Sequence, residues 1–257
     1  MKENKTYKVV LITGAGQRIG KSIATAFAGA GWNIALHYGQ SKKEAGELKN
    51  SLEKTGNSIT CLQADLKDAT EVARLIPRAV EAIGPLTCLV NNAAHFEFDS
   101  LEEISAESFD RHLHINLLAP TLLIQAFARQ LPAGGQGNII NIADQRVFNL
   151  RPEYLSYTLS KTGLWTLTQT SAMALAPRIR VNAIGPGPTL ANTRQTEAQF
   201  KQQQQSVPLG YGPSSEEIAK AVLFLVESRS MTGEFIALDG GQHLPITGTE
   251  KGEEIHE

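Results

Sequence analysis

Cysteine is scarce in this 257-residue chain: there are two, Cys61 and Cys88, and both fall inside runs that read as strands. Two core thiols make neither a disulfide framework nor a metal-ligand spacing, so a stapled mini-fold and a zinc module are excluded. Positive charge is not in excess either; 24 Lys and Arg against 26 Asp and Glu give a formal net charge of −2. No general basic face exists for nucleic acid, which is not expected as a partner. Long hydrophobic runs are missing as well: none approaches the roughly 20 residues of a bilayer span. Val9-Val10-Leu11-Ile12 is too short for the apolar stretch of a secretion signal and reads as a strand. The expected setting is the reducing cytoplasm, with no membrane and no resident metal. What is present, 42% hydrophobic and 19% charged residues, is the composition of a globular protein long enough for one large α/β core.

Taken in order, strands alternate with helices. An apolar run at 7–12 leads into Thr13-Gly14-Ala15-Gly16-Gln17-Arg18-Ile19-Gly20, and Ile23, Ala24, Phe27 and Ala28 follow at helical spacing. Strand, glycine-rich turn and helix is the context in which glycines let a backbone approach a pyrophosphate, with the helix N-terminus supplying donors. Further strands are read at 33–38, 58–64, 87–90, 138–143, 178–184 and 234–238. Helices lie between them, including 68–83 with an expected kink at Pro77, a long one over 106–131, and 215–227. Residues 189–213 are polar and irregular and read as a lid. The expected domain is a single unit over 1–246, followed by a polar tail at 247–257. This rhythm implies an α/β fold: one Rossmann-type, doubly wound parallel sheet of about seven strands with helices on both faces. Right-handed crossovers then gather Gly14, His37, Asp65, Asn91, Asp144 and Gly185 along one edge, where such folds bind ligands.

The chemistry concentrates in Asp144 to Lys161. Tyr157 and Lys161 are spaced i, i+4, so on a helix both point into one pocket. A nearby ammonium favours phenolate and suits the phenol to proton transfer near neutral pH. Asp144 ends an apolar strand ahead of that helix and can join the pair at a site mouth. Arg18, inside a phosphate loop, is badly placed for packing and well placed for an anion. Position 37, where enzymes of this fold that use NAD carry an acid on the ribose 2′-hydroxyl, is His37. No acid stands at 37–41 to repel a 2′-phosphate, so NADPH is the expected cofactor and NADH less so, with Ser41, His37 and Arg18 as candidate partners.

With these pieces in register, the chain resembles the short-chain dehydrogenase/reductase family over essentially its whole length. The matching motifs are Thr13-Gly14 through Gly20, Asp65, Asn91-Asn92-Ala93, Asn116, Tyr157-x-x-x-Lys161, Pro186-Gly187 and Leu238-Asp239-Gly240-Gly241. Two positions depart from the common pattern: Arg18 stands where glycine is usual and Asp144 where serine is usual. With Leu36-His37-Tyr38 and Phe96, they look like the pteridine reductase branch. That resemblance implies a catalytic set of Asp144, Tyr157 and Lys161, supported by Asn116, with substrate contacts from Arg18, Phe96, Asp144 and Tyr157. It implies cofactor contacts from Gly14, Gln17, Arg18, Ile19, Gly20, His37, Tyr38, Ser41, Asp65, Leu66, Asn91, Asn92, Ala93, Tyr157, Lys161, Pro186 and Gly187. A homotetramer acting on a small molecule is also implied. The branch has an arginine where this chain has Gln40, and serines where it has Ala94 and His95.

The leading expectation is therefore an NADPH-dependent reductase of a pteridine-like or other cyclic unsaturated substrate. A carbonyl reductase of 3-oxoacyl thioesters or small ketones is the alternative. A non-catalytic dinucleotide sensor is a second one, disfavoured by the intact Tyr157 and Lys161.

Overall fold

A computed structural model describes residues 8–192 and 194–245. Seven strands form one sheet: β1 (Val9–Ile12), β2 (Asn33–Tyr38), β3 (Ile59–Gln63), β4 (Cys88–Asn91), β5 (Gly137–Ile142), β6 (Ile179–Pro186) and β7 (Phe235–Leu238). Their order is β3-β2-β1-β4-β5-β6-β7, and every neighbouring pair is parallel. The chain steps outward from β1 to β3, then returns to the other side of β1 at β4. That reversal opens a crevice at the carboxyl ends of β1 and β4, the ligand-binding position of doubly wound sheets.

The core has two layers because a strand's side chains alternate between faces. Val10, Ile12, Val90, Ile140 and Ile184 face one layer, closed by helices α1 (Arg18–Gly29) and α8 (Ser215–Glu227) through Ile23, Phe27, Ile218 and Val222. Val9, Leu11, Leu89, Ile139 and Val181 face the other. There α3 (Ala69–Ile83), α5 (Ala119–Gln130) and α6 (Leu155–Leu175) supply Leu75, Leu123, Phe127 and Ala172. Burial on both faces is why these strands read as unbroken apolar runs.

Parallel crossovers also sort the helix dipoles. At the edge away from the crevice, side chains meet the carbonyls at helix C-termini: Lys8 donates to Ala30 O, Arg178 to Leu131 O, and Arg180 to Leu225 and Val226 O. Cations there offset the negative dipole ends. Helix N-termini, with their free N–H groups, are left to the crevice edge.

Two expectations need correction. The long helix over 106–131 is interrupted: α4 (Ala106–Leu113) passes through a π-helical turn at His114–Leu118 into α5, and Asn116 sits in that turn. Helix α3 runs through Pro77 as expected, from a firm cap where Asp68 accepts from Thr70 and Glu71 N–H. The stretch 189–213, read as irregular, contains helix α7 (Glu197–Gln205), opened by a capping box in which Thr196 and Gln199 bond each other's backbone N–H. The remaining helix, α2 (Lys42–Leu52), follows β2. Tyr7, Thr193, Ile246 and the tail at 247–257 lie outside the described residues.

Candidate active site

The glycine loop between β1 and α1 is shaped by close approach. Gly14 has φ +62°, and a Cβ on Gly20 would stand 2.2 Å from the Gly14 carbonyl oxygen. A Cβ on Gly16 would meet Ser41 Oγ at 2.9 Å. Only glycine fits these positions, and the result is a cradle opening onto the N-terminus of α1. The donors and dipole there suit a dinucleotide pyrophosphate. Gln17 takes the N-cap position and Ile19 lines the crevice. On the far side of the crevice, Pro186 and Gly187 end β6, and a Cβ on Gly187 would meet Asp239 Cα at 2.6 Å.

Several residues expected to touch a cofactor also brace this loop. His37 is 2% exposed; its Nδ1 accepts from Gly14 N–H at 3.1 Å and its Nε2 lies 3.1 Å from Ala64 O. Burial lowers the imidazole to about 4, so it is neutral. Both ring nitrogens are occupied, which corrects the expectation that His37 meets a 2′-phosphate. Asn92 is similarly committed: its Nδ2 donates to Thr13 O and Gly14 O, while Asn92 and Ala93 N–H both donate to Thr13 Oγ1. Asn91 donates to Asn141 Oδ1 inside the sheet, leaving its own Oδ1 buried without a partner. Tyr38 ends β2, exposed Gln40 and partly buried Ser41 follow it at the rim, and Leu66 is buried behind exposed Asp65. The Asp65 carboxylate lies 3.8 Å from Lys67 Nζ.

The catalytic candidates do converge. Asp144 lies two residues past β5 and caps a short 3₁₀ turn at Gln145–Val147, its Oδ1 accepting from Arg146 N–H at 2.9 Å. Tyr157 Oη donates to Asp144 Oδ2 at 2.8 Å. Lys161 is 2% exposed; its Nζ donates to Ile142 O at 2.7 Å and sits 5.7 Å from the centroid of the Tyr157 ring. Burial raises the Asp144 carboxyl above its usual range. Burial, then the Asp144 charge, raises the Tyr157 phenol well above 10, and burial lowers the Lys161 ammonium to about 8. This corrects the expectation that Lys161 makes Tyr157 more acidic. The ammonium points at a backbone carbonyl, and the nearest charge to the phenol is a carboxylate.

Asn116 does not reach Lys161. Its side chain accepts from His95 N–H and donates to His95 O and Ser160 Oγ, so it clamps the loop carrying Phe96 to α6. The expected relay role is not supported by any hydrogen bond of that side chain among the described residues. Phe96 does line the cavity, but one face of its ring is stacked on Tyr154, 4.6 Å away and 5° from parallel. Arg18 reaches across the crevice and donates to Ala191 O at 2.8 Å and Leu190 O at 3.0 Å, tying the loop to the start of the 189–213 stretch.

Two site residues carried no spacing signal. Tyr154, three before Tyr157, begins α6 in the left-handed region with φ +60°, and Arg146 Cζ lies 4.9 Å over its ring. Among the described residues, Arg18 and Tyr154 alone combine a side chain with positive φ, and both line this cavity of about 360 Å³. Backbone strain of this kind persists where surrounding contacts over-determine it, commonly at ligand sites.

The architecture and this site define a dinucleotide-dependent oxidoreductase. A family model described as Enoyl-(Acyl carrier protein) reductase matches residues 14–243, and the chain belongs to the short-chain dehydrogenase/reductase family. It is similar to the solved FolM alternative dihydrofolate reductase 1 of Brucella suis, determined in complex with NADP. Identity is 43%, the TM-score 0.89, and coverage 92% of this chain and 95% of that one. It is 33% identical to an uncharacterised oxidoreductase of Methylorubrum extorquens over 242 residues, 91% of this chain and 97% of that protein. It is also 31% identical to the 3-oxoacyl-[acyl-carrier-protein] reductase FabG of Staphylococcus aureus over 245 residues, 93% of this chain and all of that protein.

Proposed function

We propose that this enzyme is an NADPH-dependent reductase of a pteridine-like substrate, and that Asp144, Tyr157 and Lys161 carry its proton chemistry. The observation that carries the reading is the 2.8 Å hydrogen bond from Tyr157 to Asp144, a carboxyl in the place where carbonyl reductases of the family use serine. Bound in the cradle, NADPH supplies a hydride. Reduction of a C=N bond places that hydride on carbon and requires one proton on nitrogen. Tyr157 Oη is the group that gives it, and the Asp144 carboxyl returns a proton to the phenol. Burial shifts the carboxyl toward its neutral form, which favours holding that proton at the pair. Lys161 donates to Ile142 O and places its positive charge beside Asp144. Likeness to an alternative dihydrofolate reductase supports the substrate class.

Exposed Gln40 and partly buried Ser41 leave room for a 2′-phosphate beside the cradle, with no acid in place to repel it. The 189–213 stretch acts as a lid in this reading. Arg18 is its latch, and Asn192, Gln195 and Gln203 face the cavity. Assembly as a homotetramer accounts for outward Leu118, Leu159 and Met173, and sedimentation tests it.

The second reading, reduction of 3-oxoacyl thioesters, is favoured by the full-length likeness to FabG. A panel of dihydrobiopterin, dihydrofolate, an acetoacetyl thioester and a quinone, followed by loss of NADPH absorbance, decides between them. Turnover of the thioester without either pterin overturns the pteridine reading.

A further inference from the structure

The proton chemistry occupies Asp144, Tyr157 and Lys161, and the lid latch occupies Arg18. Arg146 is used by none of it. Its backbone N–H caps onto Asp144, and its side chain then turns back along the cavity wall over the Tyr154 ring. No carboxylate meets the guanidinium in any ion pair among the described residues. Its Nη1 is buried and has no acceptor. A buried donor left unpaired is costly, and more so when charged.

The rest of the wall sharpens the point. Its cations are Arg18, Arg146 and Lys161, and Asp144 is its single acid. Arg18 donates to the Leu190 and Ala191 carbonyls and Lys161 to that of Ile142. Arg146 alone among these has no acceptor for its side chain among the described residues. The Tyr154 ring fixes the guanidinium, and Gln242, Asn192 and Gln195 add neutral amides to the same wall. A planar, pre-oriented fork without an anion matches a carboxylate.

We propose that Arg146 is an anion subsite of the active-site cavity, gripping a carboxylate that the substrate carries away from its reducible ring. This rests on the pteridine reading and narrows it: the preferred pteridine bears an acidic side chain, as a folate does, rather than a neutral one. Arg146 also has a competing use, since its charge acts on both Asp144 and Tyr157. A role confined to that pair would affect every substrate alike.

The test uses the full-length enzyme with saturating NADPH. It compares dihydrofolate with dihydrobiopterin on wild type, Arg146→Met and Arg146→Lys. Arg146→Met should raise KM for dihydrofolate about tenfold or more, equivalent to about 1.4 kcal/mol. Its KM for dihydrobiopterin should stay within about twofold of wild type, because only the carboxylated substrate loses a contact, and any change in kcat passed through Asp144 and Tyr157 should be the same on both pterins. Arg146→Lys should recover part of the loss, keeping the charge without the fork. Equal KM changes on both pterins would overturn the subsite and leave Arg146 a neighbour of the proton pair. If wild type reduces neither pterin, the functional reading fails separately. The same variants on acetoacetate and ethyl acetoacetate then pose the charge question: selective loss on the acid keeps the subsite, and equal loss overturns it. Should turnover fail throughout, quenching of tryptophan fluorescence by folate and by biopterin gives the same comparison as dissociation constants. Should the methionine variant not fold, the lysine variant carries the test on its own.

Discussion

Asp144→Ser separates the two enzymatic readings. In the wild type one carboxyl oxygen accepts the Tyr157 hydroxyl at 2.8 Å and the other accepts Arg146 N–H at 2.9 Å. Serine keeps the second function, since a hydroxyl caps a backbone N–H at a helix start about as well as a carboxylate. What disappears is the carboxyl as a proton store. Tyr157 is held above its usual range first by burial and then by the Asp144 charge and hydrogen bond, so the variant phenol becomes a stronger acid. A ketone should be reduced at an unchanged or higher rate, since serine is what carbonyl reductases of the family use in this place. A pterin C=N fed through the pair should lose about 10²–10⁴ in rate, or about 3–5 kcal/mol of barrier lowering. Stability gives an independent reading. Because the folded-state pKa of Asp144 is raised above 3.8, its contribution to stability is complete below that value and is lost as pH rises through the folded pKa. At neutral pH the serine variant should therefore melt no lower than wild type. The assay is kcat/KM on dihydrobiopterin and on a small ketone across the pH range, with thermal melts alongside. Equal loss on both substrates together with a lower melting temperature would refute the reasoning and make Asp144 a structural cap.

Tyr157→Phe should cut turnover by about 10²–10⁴ while NADPH binding, measured by fluorescence titration, stays close to wild type; a loss under about threefold removes Tyr157 from the mechanism. Gln40→Arg should tighten NADPH binding by about 1–2 kcal/mol, the scale of an added charge-assisted hydrogen bond, and leave NADH nearly unchanged. Tighter wild-type binding of NADH than of NADPH sinks the cofactor assignment. His37, lowered from 6.5 to about 4, contributes stability that is present above pH 6.5 and lost as pH falls through 4, about 3 kcal/mol in all. His37→Gln should flatten that part of the acid denaturation curve and weaken cofactor binding by loosening Gly14. An unchanged curve shows that His37 does not control it.

Much of the fold was legible because it depends on local pattern. Strands buried on both faces read as apolar runs, and β2 was bounded at Asn33 and Tyr38 from sequence alone. The 3.6-residue period put Tyr157 and Lys161 on one face of α6. What was not legible depends on tertiary register. His37 falls at the crevice edge as expected, but the loop after β1 turns Gly14 N–H onto it while Ala64 closes the other side. A residue that looked like a phosphate donor is thereby committed to holding the loop. The π turn at Asn116 has no sequence period of its own; only the partners at His95 and Ser160 explain it. Helix α7 was legible in principle, from Thr196-x-x-Gln199, and was obscured by the glutamine run that follows. The direction of the Tyr157 shift was read wrongly because sequence gives the neighbour at i+4 but not the depth of burial, and burial is the larger effect.

That reversal bears on how the site works. A phenol made acidic by an adjacent ammonium would sit partly ionised and deliver its proton easily, but would have no neighbour to restore it. Here the phenol is a weak acid whose hydrogen bond runs to a carboxyl that burial also holds toward its neutral form. Two groups that resist ionisation share one hydrogen bond, so the apparent pKa values belong to the pair. With the ammonium of Lys161 pushed down to about 8 beside them, the net charge of the three groups near neutrality is set by very few protons. A negative charge developing on the substrate as hydride arrives would meet two groups that burial holds toward their protonated forms. Serine in place of Asp144 could polarise such a charge, but could not supply the replacement proton. The carboxyl is therefore the feature from which the substrate class is argued, and the free guanidinium of Arg146 two residues later is the feature that narrows it.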